Sequence, residues 1–352
     1  MLNVENFCQI LENDRAHLKK IQKHYSNNDL TNFETKIKEP LLTEEQRLCL
    51  APIRHYDIWN LYKKQLDSFW TREEIDLSKD YDDFKKLNEN TKYFIKYILA
   101  FFATSDGSVF LNLMENFSKE VKIMEAQICY QFQGMMEAIH SEVYSLMIEE
   151  LIKDEQEKLD LFNAINTIPC IKRKAEWAET WAKSNTKFAQ RLVAFAAIEG
   201  IFFSGSFCAI YWLKQKNILP GLTQSNEFIA RDEASHCEFA CLLYSKIINK
   251  LPELTVHQMI IDAVRIEKEF IIESLPCKLI GMNSELMSQY IEFIADKLLI
   301  NLGYSKIYNV TNPFTFMENI NLKLKSNFFE TRTTTYQKPN LMNSSLDISE
   351  DF

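Results

Sequence analysis

Glycine and proline are scarce in this chain of 352 residues, at 7 and 8. Little material is left for tight turns, which argues against many short strands and favours long helices. Basic charge is also in deficit, with 40 Lys and Arg against 49 Asp and Glu for a net charge of −9. Nucleic acid and anionic membrane select basic surfaces, so neither is an expected partner. The opening MLNVENFCQILENDRAHLKK lacks a basic start followed by an apolar run and does not read as a secretory signal, so a cytoplasmic location is expected. Eight cysteines (8, 49, 129, 170, 208, 237, 241 and 277) form no C-x-x-C and no compact framework, which fits reduced thiols, most of them in a core. The sequence contains neither G-x-x-x-x-G-K-[ST] nor G-x-G-x-x-G, and no basic cradle for a diphosphate, so substrate nucleotides are not expected to react on this chain.

Hydrophobic residues make up 46% of the chain, enough for a sizeable core. Residues 1–38 are polar and mixed, with an amphipathic pattern up to about Tyr25. Helical patterns begin at HYDIWNLYKKQLDSFW (55–70), followed by an acidic helix start at TREEIDLSKDYDDF. Long helical segments are predicted near 88–116, 120–152, 182–215 and 223–249, with a connecting helical region around 154–180 and further helices from about 254 to 300. No strand alternation stands out before residue 300, and the expected class is all-α. The stretch 192–213 is long enough to span a bilayer, but it carries Glu199 at its middle. An acid at that depth needs a partner, so a buried bundle helix is predicted.

Two Glu-x-x-His repeats, Glu137 to His140 and Glu233 to His236, each put a carboxylate and an imidazole on one helix face. Two lone acids sit in otherwise apolar helices: Asp106 in ILAFFATSDGSVFLNL and Glu199 in LVAFAAIEGIFFSGSFCAIYWL. Together they resemble the ligand set of ferritin-like di-metal bundles. Antiparallel helices place residues equidistant from their turn at one height. Asp106 and Glu137 have their midpoint between 121 and 122, beside the polar break ENFSKEV, and Glu199 and Glu233 have theirs at 216, in the connection KQKNILPGL. Each acid then lies ~25 Å from its turn at ~1.5 Å per residue. Two hairpins can bring all six groups to one level. Any one of them alone would read as an ion-paired core residue. Four buried carboxylates, however, are severe without compensation, and two Fe(II) ions would neutralise them. Hard carboxylates with two imidazoles suit iron or manganese, and zinc less well. Tyr144 lies one turn beyond His140, which places its ring beside the site. Phe203, Phe207 and Ile229, at compatible spacing from Glu199 and Glu233, could keep that phenol dry.

Beyond the ligands, the strings HYDIWNLYKK, SFWTREEIDLSKD, FFATSDGSVFLNL, MEAIHSEVYSLMIE, IEGIFFSGSFCAIYWLK, LPGLTQSNEFIARDEASHCEFACLLY, NPFTFMENI and NFFETRTTTYQ, with an acidic end in Phe352, resemble the small, radical-generating subunit of class I ribonucleotide reductase, in its eukaryotic form. The resemblance runs from about residue 39 to the end and implies a ferritin-like domain over 39–325, preceded by a variable segment (1–38) and followed by a flexible tail (326–352). It implies Asp106, Glu137, His140, Glu199, Glu233 and His236 as ligands of two irons in an oxo-bridged centre, and Tyr144 as the stored tyrosyl radical. It further implies a transfer path from Tyr144 through His140, Asp232 and Trp70 to Tyr336, with Arg231 assisting Asp232. The partner would be the large subunit, bound through Leu346 and Phe352 of the tail, and the chain itself a homodimer. Alternatives are a di-iron monooxygenase or desaturase, which needs no Trp70, Tyr144 and tail together, and a non-enzymatic iron-storage or partner-stabilising bundle.

Overall fold

The computed structural model describes residues 38–45, 47–182, 186–274 and 284–317. Helices account for all of the regular structure among them, with no strand. The described residues up to Pro313 form one compact unit. Residues 314–317 belong to a second, in which the rings of Phe314 and Phe316 lie 5.4 Å apart.

Helix α1 (Tyr56–Asp67) buries Ile58, Leu61 and Gln65, one stripe at helical spacing. Helix α2 (Glu89–Asn112) runs into a π-turn at Leu113–Phe117, where the polar break was predicted, and α3 (Met124–Leu151) returns against it. Short helices Glu155–Phe162 and Ala164–Thr167 lead to α4 (Pro169–Ala182). The next predicted helix is interrupted. Helix α5 (Phe188–Ala197) gives way to a π-turn at Ile198–Phe202, and after Phe203 the chain resumes as α6 (Ser204–Gln215). Helix α7 (Pro220–Lys246) lies against both α5 and α3, and α8 (Glu253–Ser274) and α9 (Ser284–Leu302) cover the π-turn from outside. The apolar stretch Phe188–Gln215 is long enough to cross a membrane, but 94% of its apolar window is buried inside the bundle, as its central acid implied.

The start of α7 matters most for the site, because this helix carries two predicted ligands and Asp232. The connection turns through Asn217 (φ 53°) and Leu219 (φ 56°), and Pro220 at the first helical position has no N–H to leave unpaired. The next two N–H groups, of Gly221 and Leu222, donate to Asp80 Oδ1 at 2.9 Å and Oδ2 at 2.7 Å. A side chain at 221 would put its Cβ 2.5 Å from the Asp76 carbonyl, so only glycine lets the helix start approach Asp80 this closely. Asp80 therefore caps α7 from a segment far away in sequence, with its carboxylate at the positive end of the helix dipole. Asp80→Ala should leave two buried N–H groups unpaired and cost about 1–3 kcal/mol. Urea unfolding of the metal-free protein with an unchanged midpoint would show that the cap contributes nothing.

Candidate metal centre

Helix α3 presents Glu137 and His140 from successive turns, α7 presents Glu233 and His236, and the π-turn presents Glu199. The structure brings these five side chains together. Ligand atoms of Glu137, Glu199, Glu233 and His236 all lie within 4.8 Å of one another, in residues that are fully buried. His236 Nδ1 is 2.9 Å from Glu137 Oε1 and 3.0 Å from Glu233 Oε2. His140 Nδ1 is 3.0 Å from Glu233 Oε1 and 3.6 Å from Glu137 Oε2. Each imidazole thus faces acids from both helices. The sixth predicted ligand, Asp106, lies in α2, and its side chain is outside the described residues.

Electrostatically the group asks for a cation. The carboxylates of Glu137, Glu199 and Glu233 are buried with only one another and the two imidazoles to answer them, a costly arrangement for three acids. Burial, reinforced by the facing Glu233 and Glu137, pushes the Glu199 carboxyl well above its ordinary range. Burial opposes protonation of His236, yet Glu233 and Glu137 outweigh it and raise its pKa to about 10. The same contest raises His140, where Asp232, Glu137 and Glu233 overcome burial. A metal on the Nδ1 atoms would meet the demand that protons otherwise meet. Carboxylate oxygens and imidazole nitrogens, with no thiolate in the cluster, form a donor set suited to iron or manganese.

The other face of His140 is also occupied. Its Nε2 lies 3.1 Å from Asp232 Oδ2, the same oxygen that accepts the Trp70 indole N–H at 2.7 Å. Trp70 stacks on the His140 ring, with centroids 5.9 Å apart and planes at 18°. With a metal on Nδ1, the remaining ring proton would sit on Nε2, where Asp232 can accept it and fix the tautomer. Arg231 donates to the Ser68 carbonyl at 2.7 Å and reaches Asp232 Oδ1 at 3.4 Å, tying the Trp70 loop to α7.

Tyr144 is 1% exposed and lies one turn past His140. Its ring stacks on Phe102, with centroids 4.6 Å apart. Phe102 in turn touches Phe203 at 5.8 Å and Phe207 at 5.2 Å, so these two predicted residues belong to the pocket through an intermediary. Ile229 is buried on α7, one turn before Glu233. Phe102 was missed in the sequence, although its place one turn before Asp106 follows the same rule that singled out Phe203. Phe228, 5.2 Å from Trp70, was also missed, and nothing in its spacing marks it. Tyr336, Leu346 and Phe352 lie outside the described residues.

Fold and site together define a ferritin-like helical bundle with a buried carboxylate and imidazole centre. Residues 47–313 match the family described as "Ribonucleotide reductase, small chain". The chain is 58% identical over 317 residues to the ribonucleoside-diphosphate reductase small chain of Neurospora crassa, covering 89% of this chain and 77% of the relative. It is 56% identical over 305 residues to that of Vaccinia virus (strain Western Reserve), covering 86% of this chain and 96% of the relative. The solved ribonucleotide reductase Rnr4 homodimer of Saccharomyces cerevisiae is 39% identical, with a TM-score of 0.74 over 95% of this chain and 99% of that one. The chain belongs to the ribonucleotide reductase small chain family, in its eukaryotic form. It is thus a subunit of an oxidoreductase, and the monooxygenase, desaturase and storage readings give way. Membership implies a metal centre, and the buried acids and histidines can hold one.

Metal binding should stabilise the fold measurably. Fe(II) or Mn(II) at ~1,000 times its dissociation constant should add about 4 kcal/mol to the chelator-treated protein. The gain should shrink in Glu233→Ala; an equal thermal shift in that variant would take Glu233 out of the site.

Proposed function

We propose that Asp106, Glu137, His140, Glu199, Glu233 and His236 hold two irons, and that the chain uses them to generate and store a radical on Tyr144. The oxidising equivalent then passes to the large subunit, which reduces ribonucleoside diphosphates to deoxyribonucleoside diphosphates for DNA synthesis in the cytoplasm. When bound, the metal pair supplies the oxidising power by reacting with oxygen. The observation that carries this reading is the buried chain of contacts His140, Asp232, Trp70, which leads away from the centre. A hydroxylating bundle shares the ligands but does not require Trp70, Tyr144 and the tail together.

The roles of the side chains follow from their contacts. Phe102, with Phe203 and Phe207 behind it, keeps water from the Tyr144 ring, as a long-lived radical requires. Asp232 accepts from Trp70 and faces His140 Nε2, so one carboxylate holds both rings in register and can move a proton between them. Arg231 keeps that carboxylate turned toward the pair. We assign Tyr336 as the exit residue and the end of the chain, NSSLDISEDF, as the segment that docks on the large subunit. Its acids would set register, and Leu346 and Phe352 would be the apolar anchors. The functional unit is a homodimer of this chain.

After addition of Fe(II) and oxygen, the electron paramagnetic resonance spectrum should show a tyrosyl doublet. Tyr144→Phe should keep its metal and lose that signal together with nucleotide reduction. An undiminished doublet in the variant would move the radical to another tyrosine.

Making the radical and exporting it should be separable. Tyr336→Phe should retain metal and the Tyr144 signal but lose turnover with the large subunit, and normal turnover would rule out this exit. A peptide of the last ten residues should compete with the intact chain for the large subunit. If deleting those residues left subunit affinity unchanged, the docking role would be wrong.

A further inference from the structure

We propose that Lys174 and Glu267 are positioning residues for the metal centre, a charged pair that splints the broken helix carrying Glu199. The proposal rests on Glu199 being a ligand. In an uninterrupted α-helix each N–H bonds to the carbonyl four residues back. The Phe202 carbonyl would then meet the Ser206 N–H, and the Gly205 N–H would meet the Ile201 carbonyl. Here the Phe202 carbonyl accepts a hydrogen bond from Lys174 Nζ at 2.7 Å, and the Gly205 N–H donates to Glu267 Oε1 at 3.2 Å. The Ile201 carbonyl is taken by the Phe203 N–H and by the Ser204 hydroxyl at 2.7 Å. One member of the pair thus gives a backbone carbonyl a side-chain donor and the other gives a backbone N–H a side-chain acceptor, on either side of the break.

Lys174 Nζ and Glu267 Oε2 are 2.5 Å apart, with side chains only 2% and 0% exposed. Lys174 comes from α4 and Glu267 from α8, so the pair anchors the break to two flanking helices. The ammonium lies 3.6 Å and 3.7 Å from the ring centroids of Phe101 and Phe270, which shield it from water. At Gly205 a Cβ would sit 2.7 Å from Glu267 Oε1 and 2.6 Å from Ile271 Cδ1, so the carboxylate reaches this N–H only because residue 205 is glycine. Burying two charges is a poor way to gain stability, since a well-packed apolar pair often does as well or better. What an apolar pair cannot do is bond the Phe202 carbonyl and the Gly205 N–H. Without those bonds the segment can rewind as α-helix. A change of one residue in winding turns one side of the break relative to the other by about 100°, which would swing Glu199 out of the cluster.

The test is Mn(II) titration of the full-length metal-free chain, followed by calorimetry and by the Mn(II) electron paramagnetic resonance spectrum. Lys174→Met leaves the Glu267 charge unpaired and lowers thermal stability, whereas Lys174→Met/Glu267→Met removes both charges and regains stability. If the pair positions Glu199, the double variant still binds metal at least about tenfold more weakly, with an altered Mn(II) spectrum, as loss of a supporting contact does elsewhere. Should Lys174→Met fail to fold, the double variant carries the test alone. Asp296→Asn is the control. Its carboxylate is buried and accepts three backbone N–H bonds, from Ile307, Tyr308 and Asn309, so the variant should be less stable with unchanged metal affinity. Wild-type affinity and spectrum in the double variant, or equal weakening in Asp296→Asn, would overturn the positioning role. Glu199→Ala separates the two levels. If it too binds both metals normally, Glu199 is no ligand and the reading of the site fails. If it is weakened while the double variant is not, only the splint is wrong.

Discussion

Three buried carboxylates facing one another inside an apolar bundle set the terms for the rest of this structure. Glu137, Glu199 and Glu233 arrive from three different segments and converge with two imidazoles within a few ångströms, without hydrogen bonds enough to satisfy them. Such a cluster is not a stable core by itself. It persists because long helices with apolar flanks hold it, and because a divalent metal can replace the protons it would otherwise take up. The scarcity of glycine and proline serves the same end, since each ligand must ride on a helix long enough to be gripped along its length.

The surroundings of the centre divide into a polar side and an apolar side, both buried. On one side, His140 turns its second nitrogen to Asp232, and Asp232 shares an oxygen with the Trp70 indole, giving a buried polar relay in which every member has a partner. On the other, Tyr144 meets the flat face of Phe102, with Phe203 and Phe207 behind. Both arrangements grow from one helix: successive turns of α3 deliver Glu137, His140 and Tyr144. That economy explains why a short string of residues carried so much of the functional reading.

Much of the architecture was legible in the residues. The helix segments near 88–116, 120–152 and 223–249 correspond to α2 with its π-turn, α3 and α7, because hydrophobic periodicity is a local signal; Pro220 and Gly221, expected in the turn, are instead the first two residues of α7. Glu137, His140, Glu199, Glu233 and His236 come together in the structure, and Glu199 and Glu233 meet as the hairpin arithmetic required; the side chain of Asp106 lies outside the described residues. The helix expected over 182–215 begins at Phe188 and is broken by a π-turn; Gly200, Ser204, Gly205 and Ser206 cluster at the break, but hydrophobic periodicity runs through it. Its bonds are made to Lys174 and Glu267, residues distant in sequence. Phe102 shows the complementary case: its position was computable, but its role as the ring against Tyr144 depends on how α2 rotates about its axis.

Taken alone, the sequence determined the all-helical class, and it picked out the acids and histidines of the candidate centre and their spacing along the helices, because these depend on composition and on a repeat of fixed rise per residue. The relay oxygen of Asp232, the long-range cap that Asp80 places on α7, and the charged splint at the π-turn were decided only by tertiary structure. The physical reason is the same for all three. Each is a hydrogen bond between groups many residues apart, and such a bond exists only once helix rotation and packing have fixed which atoms face each other in three dimensions.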